Sequence, residues 1–229
     1  MTQKEKLLQL HNLQNTLNNM TNGSEWTNGI TNKGKQINWY NCMLLEGAEA
    51  IDSTPWKHWK AIEGKTDWEN IKIEVVDIFH FLLSESIRLY GINKSHYISN
   101  DILTSFEFNY SSSDFKIFNQ EMKLFMFKVL SLDLEVGSNN VSFPELFYHF
   151  FKLLELCNMT FDEMYNLYIM KNALNKIRQD NGYKEGKYVK IWEGVEDNVY
   201  LYNLLKDQPN LVYEDILDNL QNKYNSLKK

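Results

Sequence analysis

The sequence predicts an all-α protein, and three observations support that class. Proline and glycine, which interrupt helices, are scarce, with only 3 and 10 residues. Apolar residues recur at three-and-four spacing, as in segment 4–20, which is the pattern of an amphipathic helix. A helix-start signature, in which Ser or Thr precedes Glu by three positions, occurs at 66–69, 142–145 and 160–163. No convincing alternation of apolar and polar residues indicates a strand.

Seven or eight helices are expected to follow one another along a single domain. Pro55 and Gly91 are helix-ending residues, and they mark where the second and third helices stop. Glycine-containing loops are expected at 21–35 and 180–198, and the segment 92–112 is interpreted as polar and irregular. The expected helices are 4–20, 37–53, 67–90, 114–135, one beginning near 142, 160–179, 198–206 and 211–227.

Composition argues against several classes of protein. The apolar fraction of 43% is enough for a sizeable core, yet no stretch of about 18 apolar residues predicts a membrane span. The net charge of −6 argues against a nucleic-acid-binding protein. Two cysteines, Cys42 and Cys157, cannot form a disulfide framework or a four-sulfur metal site. A cytoplasmic location is therefore expected, and segment 1–19 is too polar for a signal peptide.

Two pairs of acidic residues stand on neighbouring predicted helices. Glu46 and Glu49 are three positions apart on the second helix, and Glu74 and Asp77 repeat this spacing on the third. Residues three apart share a helical face, and the loop 54–66 allows the two helices to run antiparallel. Four carboxylates would then converge in an apolar interior, where unpaired charges are costly unless a cation binds. Ligation by oxygen alone favours Mg²⁺ or Mn²⁺ over Zn²⁺.

Other interpretations of these acids stay open at this point. A pair of acids spaced three apart is most often a solvated helix face, although the apolar neighbours of Glu74 and Asp77 leave little room for one. A di-iron centre would use Glu-x-x-His on two helices, whereas here His80 follows one turn after an acidic pair that ends in Asp. Gly47 costs about 1 kcal/mol in a helix, which close packing of two helices would offset.

A basic segment lies in the second half of the chain, "KNALNKIRQDNGYKEGKYVK". Six Lys or Arg residues oppose two acids there, which gives six minus two, or +4, in a chain of net −6. Lys171, Asn175 and Arg178 share one helical face, and a turn that bears Tyr183 and Lys184 follows. A charged run is commonly a solvated face, but Arg and Lys also bind phosphate oxygens. Together with a metal cluster, this face indicates a polyphosphate ligand.

The motifs also resemble those of a known family. Glu-x-x-Glu followed about 25 residues later by Glu-x-x-Asp resembles the all-α nucleoside triphosphate pyrophosphatases. The dimeric dUTPases are the branch that is most similar to two further segments, "EGAEAIDSTPWKHWK" and "KNALNKIRQDNGYKEGKYVKIWEGVEDN". MazG-like relatives often double the first Glu, whereas Leu45 precedes Glu46 here. The likeness runs over about 7–198, and residues 92–140, within the single domain 1–229, form a variable region without a family motif.

The resemblance implies a fold, an activity and a cofactor. It implies a dimeric helical bundle that hydrolyses dUTP, and dUDP as well, to dUMP with release of pyrophosphate or phosphate. Water would attack the β-phosphorus. Glu49 would orient and deprotonate that water. Two or three Mg²⁺ ions, for which Mn²⁺ could substitute, would be held by Glu46, Glu49, Glu74 and Asp77.

The resemblance also implies which residues bind the substrate. Phosphate binding is implied for Lys171, Asn175, Arg178, Tyr183 and Lys184. Base and sugar binding is implied for Gln14, Asn18, Trp56, Trp59, His80 and Asn198. The two helical amides would read the uracil edge, because amides both donate and accept hydrogen bonds. The tryptophans would wall the base pocket and the histidine would lie near the deoxyribose. Without the resemblance, Gln14 and Asn18 are interpreted as surface amides and the two tryptophans as core aromatics. His80 is then interpreted as a core histidine whose hydrogen bonds are satisfied.

Two other functions are left open by the sequence. One is a pyrophosphatase for another nucleotide, such as dCTP. The other is a non-catalytic helical interaction module, in which the acids are surface charges.

Overall fold

A computed structural model describes residues 1–60, 64–111, 113–135, 141–207 and 212–227. Within these ranges it contains nine α-helices, one 3₁₀ turn and one hairpin, so the all-α prediction is confirmed. None of the described helices is both long and apolar enough to cross a membrane. The helices are α1 Gln3–Asn22, α2 Trp39–Asp52, α3 Trp68–Tyr90, α4 Ile92–Ser105, α5 Phe115–Asp133, α6 Glu145–Leu156, α7 Phe161–Asp180, α8 Asp197–Asp207 and α9 Tyr213–Ser226. The hairpin pairs β1 Ile191–Trp192 with β2 Val195–Glu196, and the 3₁₀ turn is Trp26–Asn28.

Helix α3 lies at the centre of the bundle, as its apolar sequence predicts. It packs against α1, α2, α4, α6 and α7, and the ring of Phe79 stacks on Phe150 of α6 at 4.4 Å. Trp39, at the start of α2, stacks on Phe81, whereas the side chain of Ser53, just after α2, bonds Asn70 near the start of α3. The two helices are therefore antiparallel, so their acidic pairs can meet.

The helix-start signatures do not all form as predicted. Thr160 and Glu163 make the full reciprocal capping box at the start of α7. At α3 the cap is Asp67, whose side chain accepts the N–H of Asn70 at 3.0 Å, so the cap lies one residue later than the signature suggests. At 142–145 the serine and glutamate side chains bond each other, and the serine oxygen does not cap the helix. A fourth box, at the start of α1, was not predicted.

The prediction for 92–112 was wrong over most of its length, because α4 occupies Ile92–Ser105. This helix packs on α1, α3 and α6. Its buried positions are Ser95, His96, Ser99 and Leu103. Three of these four residues are polar, so a search for apolar periodicity finds almost nothing in a helix that nevertheless buries one face.

The segment 180–198, predicted as a loop, contains the hairpin. Glu193 and Gly194 form its turn with φ of 51° and 91°, as a tight two-residue hairpin turn requires. Trp192, on β1, is completely buried and its ring lies against Tyr224 of α9. The hairpin therefore anchors the chain on the core immediately before α8 begins at Asp197.

Helices α2 and α5 approach closely at Gly47. A Cβ atom at this position would lie 3.1 Å from Cγ of Met126 and 3.3 Å from Sδ of Met122. The absence of a side chain thus allows α5 to pack directly behind the acidic face of α2, and it explains why a helix interior tolerates a glycine here.

Candidate active site

Three of the four predicted metal ligands converge between α2 and α3. Glu46, Glu74 and Asp77 each offer a carboxylate oxygen, and these oxygens all lie within 4.8 Å of one another. Burial and the charges of neighbouring acids raise the pKa of both Glu46 and Glu74. Such a crowded, all-oxygen set fits a hard divalent cation, which would offset the mutual repulsion. No histidine joins this set in the described ranges, which disfavours the di-iron interpretation.

Glu49 lies outside this set of three, at its solvent edge. It is exposed, on the same side of α2 as Glu46. Its charge contributes to the raised pKa of Glu46 and of Glu74, so its carboxylate lies close enough to the cluster to act on it. The sequence spacing placed four acids together, and the structure separates them into three partly or fully buried ligand candidates and one accessible carboxylate.

Asn70 holds Glu74 in place, and sequence reasoning did not identify it. Its side-chain N–H groups donate to Oε1 of Glu74 at 3.0 Å and to Oγ of Ser53 at 2.8 Å. The only signal in the sequence is its position one turn before Glu74, which many surface asparagines share. The contact fixes one carboxylate and ties α3 to the end of α2.

Lys171, on α7, reaches the acidic cluster. Its Nζ lies 2.8 Å from Oδ2 of Asp77 and donates to Oδ1 of Asn198 at 3.1 Å. The lysine side chain is only 3% exposed. One of the predicted phosphate-binding cations therefore lies directly beside a predicted metal ligand, where it offsets part of the negative charge.

The other predicted phosphate residues extend from this lysine along α7. The guanidinium group of Arg178 donates to Oδ1 of Asn175 and of Asn198, each at 3.1 Å. The ring of Tyr183 lies 5.8 Å from Cζ of Arg178, within the range of a cation–π contact. Lys184 is exposed and bonds the carbonyl of Thr21 at the end of α1. The basic face thus runs from the acidic cluster to the loop after α1.

Gln14 is the centre of a buried network between α1, α3 and α7. Its Oε1 accepts a hydrogen bond from the hydroxyl of Tyr168 at 2.6 Å and one from Nδ1 of His80 at 2.7 Å. Its Nε2 donates to Oδ1 of Asn18 at 3.1 Å and to Oγ of Ser84 at 2.9 Å. Both lone pairs and both N–H groups of the amide are thereby used. The amide is 3% exposed, so it is not the surface amide that sequence alone suggests.

A family model described as dUTPase matches residues 6–183. The chain belongs to the dimeric, all-α dUTPase family. It is therefore an enzyme that hydrolyses dUTP, and the non-catalytic module is excluded. Members of this family generally use a divalent metal, in accord with the cluster between α2 and α3. A comparison with curated proteins gave no match.

In this dUTPase the amide of Asn18 retains bonding capacity that Gln14 lacks. Its Nδ2 donates to Ser84 at 2.9 Å, and its Oδ1 accepts from Gln14. Among the described residues, this leaves one N–H and one lone pair. His80 also retains an acceptor, because its Nδ1 donates and its buried Nε2 has no partner in the described part of the chain. Burial lowers the pKa of His80 well below its usual value, so the ring is neutral.

The two tryptophans of the "PWKHWK" motif lie in the described stretch after α2. Trp56 and Trp59 are 43% and 62% exposed, so they are not core residues of this dUTPase. Their rings meet edge to face at 5.4 Å. An exposed aromatic pair beside the acidic helix is suited to covering a ligand, whereas a core pair would be enclosed.

Asn198, predicted on the base side, lies with the cations of α7. It belongs, with Tyr188 and Asp197, to the part of the chain beyond the segment that the family model matches. Its neighbour Asp197 is fully buried against Arg178, and sequence reasoning did not single it out.

Proposed function

We propose that this dUTPase converts both dUTP and dUDP to dUMP and that it depends on Mg²⁺. The observation that carries the proposal is the convergence of Glu46, Glu74 and Asp77 within 4.8 Å, beside the cationic face of α7. With Glu49 at the edge, these acids would hold two or three ions. When bound, Mg²⁺ lowers the pKa of a coordinated water and offsets charge on the phosphates. Water attack at the β-phosphorus accounts for dUMP as the product from either nucleotide.

Glu49 is proposed as the general base. A base must be within reach of the attacking water and free to accept its proton. Glu49 is exposed and has no ion-pair partner among the described residues. Glu46 and Glu74, by contrast, are crowded by other carboxylates. The accessible acid is thus best suited to take the proton while the crowded ones hold the metal.

Asn18 is proposed to read the uracil edge, with Gln14 holding it in position. Uracil presents an N–H donor at N3 beside a carbonyl acceptor at C4, which the remaining lone pair and N–H of Asn18 complement. Cytosine presents an acceptor and a donor at the same places. Nε2 of His80, which has no partner within the described ranges, can accept the sugar hydroxyl, and Trp56 and Trp59 can cover the base.

A nucleotide panel tests the proposed function. The purified protein is incubated with Mg²⁺ and dUTP, dUDP or dCTP, and dUMP, dCMP, pyrophosphate and phosphate are measured. We expect dUMP from both uracil nucleotides, pyrophosphate only from dUTP, and little reaction with dCTP. Preference for dCTP would overturn the assignment of Asn18, and full activity in EDTA would overturn the metal requirement.

An exposed apolar face supports the homodimer that the family resemblance implies. On α5 and at its end, four large apolar residues are exposed: Leu124, Phe127, Leu130 and Leu134. Their spacing of three or four places them along one side of the helix. We propose that a second copy covers this face. Sedimentation should give a dimer for the wild type and a monomer for Phe127→Glu; a wild-type monomer would refute the proposal.

A further inference from the structure

Asp197, the first residue of α8, is a fully buried carboxylate with four hydrogen-bond donors around it. Nε and Nη2 of Arg178 donate to its two oxygens, each at 2.8 Å. The hydroxyl of Tyr188 and the backbone N–H of Asn198 donate at 2.9 Å each. A buried charge persists only when it is paired and hydrogen-bonded in this way, so the arrangement is specific for a carboxylate.

These contacts fix the orientation of Arg178. Among the described residues, four of its five N–H groups have acceptors: two on Asp197, one on Asn198 and one on Asn175. One N–H on Nη1 remains available. An arginine held in a single rotamer loses less conformational entropy when it binds an anion than a mobile one does. The bidentate pair with Asp197 thus prepares the guanidinium for a ligand.

Asn198 extends the same arrangement to the second cation. Its Oδ1 accepts from Arg178 Nη2 and from Lys171 Nζ, both at 3.1 Å. Lys171 in turn pairs with Asp77 in the acidic cluster. A continuous polar chain therefore leads from the start of α8, through both cations of α7, to a proposed metal ligand on α3.

The hairpin and α9 hold Asp197 in place from behind. Its backbone N–H donates to the carbonyl of Lys190 at 2.9 Å, directly across the hairpin. Trp192 is completely buried, and the ring of Tyr188 stacks on Tyr224 at 4.9 Å. The carboxylate is therefore presented to Arg178 by a packed frame, all of which lies beyond residue 183.

We propose that Asp197 is a positioning residue that orients Arg178 for the phosphate chain of the substrate. Together with Asn198 it sets the spacing of Arg178 and Lys171, so the segment after residue 183 completes the phosphate site. In this arrangement Asn198 positions the two cations and does not contact the nucleobase. The inference rests on the proposed phosphate-binding role of Arg178.

A double-mutant cycle with two readouts tests the inference. The variants are Asp197→Asn, Arg178→Lys and the double variant, and the control is Asp180→Asn, an exposed acid of α7 that pairs with Lys176. The readouts are the KM for dUTP and the calorimetric affinity for inorganic tripolyphosphate with Mg²⁺. We expect Asp197→Asn, in protein that remains folded, to raise KM and weaken tripolyphosphate binding at least tenfold. Its Tm should lie below that of the control, because Arg178 loses its buried counter-charge. The double variant should be no worse than Arg178→Lys alone.

The inference would be overturned if the losses of tripolyphosphate affinity in the two single variants multiplied in the double variant. Unchanged tripolyphosphate binding by Asp197→Asn would also overturn it. If Asp197→Asn does not fold, Asn198→Ala takes its place, and it should weaken tripolyphosphate binding at least threefold. Tripolyphosphate has no nucleobase, so a variant that affected only base binding would leave its affinity unchanged. Unchanged binding by Asn198→Ala would therefore overturn the role of Asn198 in orienting the cations.

The two proposals can fail separately. If the wild type binds tripolyphosphate and Asp197→Asn weakens that binding, but the wild type does not hydrolyse dUTP, the proposed function is overturned and the positioning role is upheld.

Discussion

Lys171 and Asp77 form a buried ion pair that joins α7 to α3 at the acidic cluster. Nζ lies 2.8 Å from Oδ2, and the two side chains are 3% and 18% exposed. The positive charge also acts on Glu74, whose pKa it lowers against the larger effects of burial and of Asp77. The lysine therefore supplies part of the charge compensation that a divalent cation would supply more fully.

Replacing Lys171 should destabilise the metal-free protein. We expect Lys171→Met to lose about 3 kcal/mol of unfolding free energy, because it leaves buried acids without their cation. Added Mg²⁺ should stabilise this variant more than the wild type. Urea denaturation in EDTA and in Mg²⁺ measures both. Lys176→Met, which breaks an exposed pair with Asp180, is the control and should cost less than about 1 kcal/mol. Equal losses in the two variants would contradict the role of the buried pair.

The positions of Glu46, Glu74 and Asp77 were predictable because helical spacing and an antiparallel pair of helices suffice to bring them together. That Glu49 is exposed was not predictable, because its exposure depends on how far α2 turns away from α3. The helices with apolar stripes were found within about two residues. Helix α4 was missed because it buries mainly serine and histidine.

Partners distant in sequence account for the rest of what was missed. Asp197 meets Arg178 only because the hairpin folds the chain back onto α7, and no local pattern encodes that contact. The hydrogen bonds of Gln14 likewise come from α3 and α7, so sequence alone favours a surface amide. Family resemblance supplied the binding roles, and packing explains how the side chains are held.

The metal-free protein should lose stability as pH rises. Burial and the charges of Asp77 and Glu74 raise the pKa of Glu46 from 4.5 to about 8. A raised carboxyl pKa contributes stability that is complete below about 4.5 and is lost as pH rises through about 8. Glu46→Gln removes this titration. In EDTA the variant should therefore gain stability relative to wild type between about pH 5 and pH 8. A constant difference across this range, measured by urea denaturation, would show that Glu46 titrates normally.

Glu49→Gln should separate catalysis from metal binding. We expect kcat to fall by about 10²–10⁴-fold, the usual contribution of a general base, with Mg²⁺ affinity reduced only slightly. Glu46→Gln should instead abolish most Mg²⁺ binding, because Glu46 is one of the three converging ligand candidates. Steady-state kinetics and calorimetric titration of Mg²⁺ distinguish the two. If both variants lose metal equally, Glu49 is a ligand of the same kind and not primarily a base.

Asn18→Ala should weaken recognition of uracil. Among the described residues, the amide of Asn18 keeps one unused donor and one unused acceptor. Its loss should raise the KM for dUTP about tenfold, the effect of one or two hydrogen bonds. Discrimination against dCTP should fall, because the variant lacks the amide whose acceptor and donor do not complement cytosine. Asn12→Ala, at an exposed position of the same helix, is the matched control. Unchanged discrimination between the two nucleotides would place the base elsewhere.

Gly47→Val tests whether the close packing of α2 on α5 supports the site. Helix propensity alone favours the change, since Gly is the poorer helix former. The new Cβ would however lie 3.1 Å from Cγ of Met126, and the branched side chain would add further overlap. We expect a loss of about 1–3 kcal/mol in unfolding free energy and a lower kcat/KM, because Glu46 is displaced with the helix. Ala48→Val, at the adjacent exposed position, should cost less than about 1 kcal/mol and leave kcat/KM near the wild-type value. Stabilisation by Gly47→Val would instead show that the methionines yield and that the helix spacing is not set by the glycine.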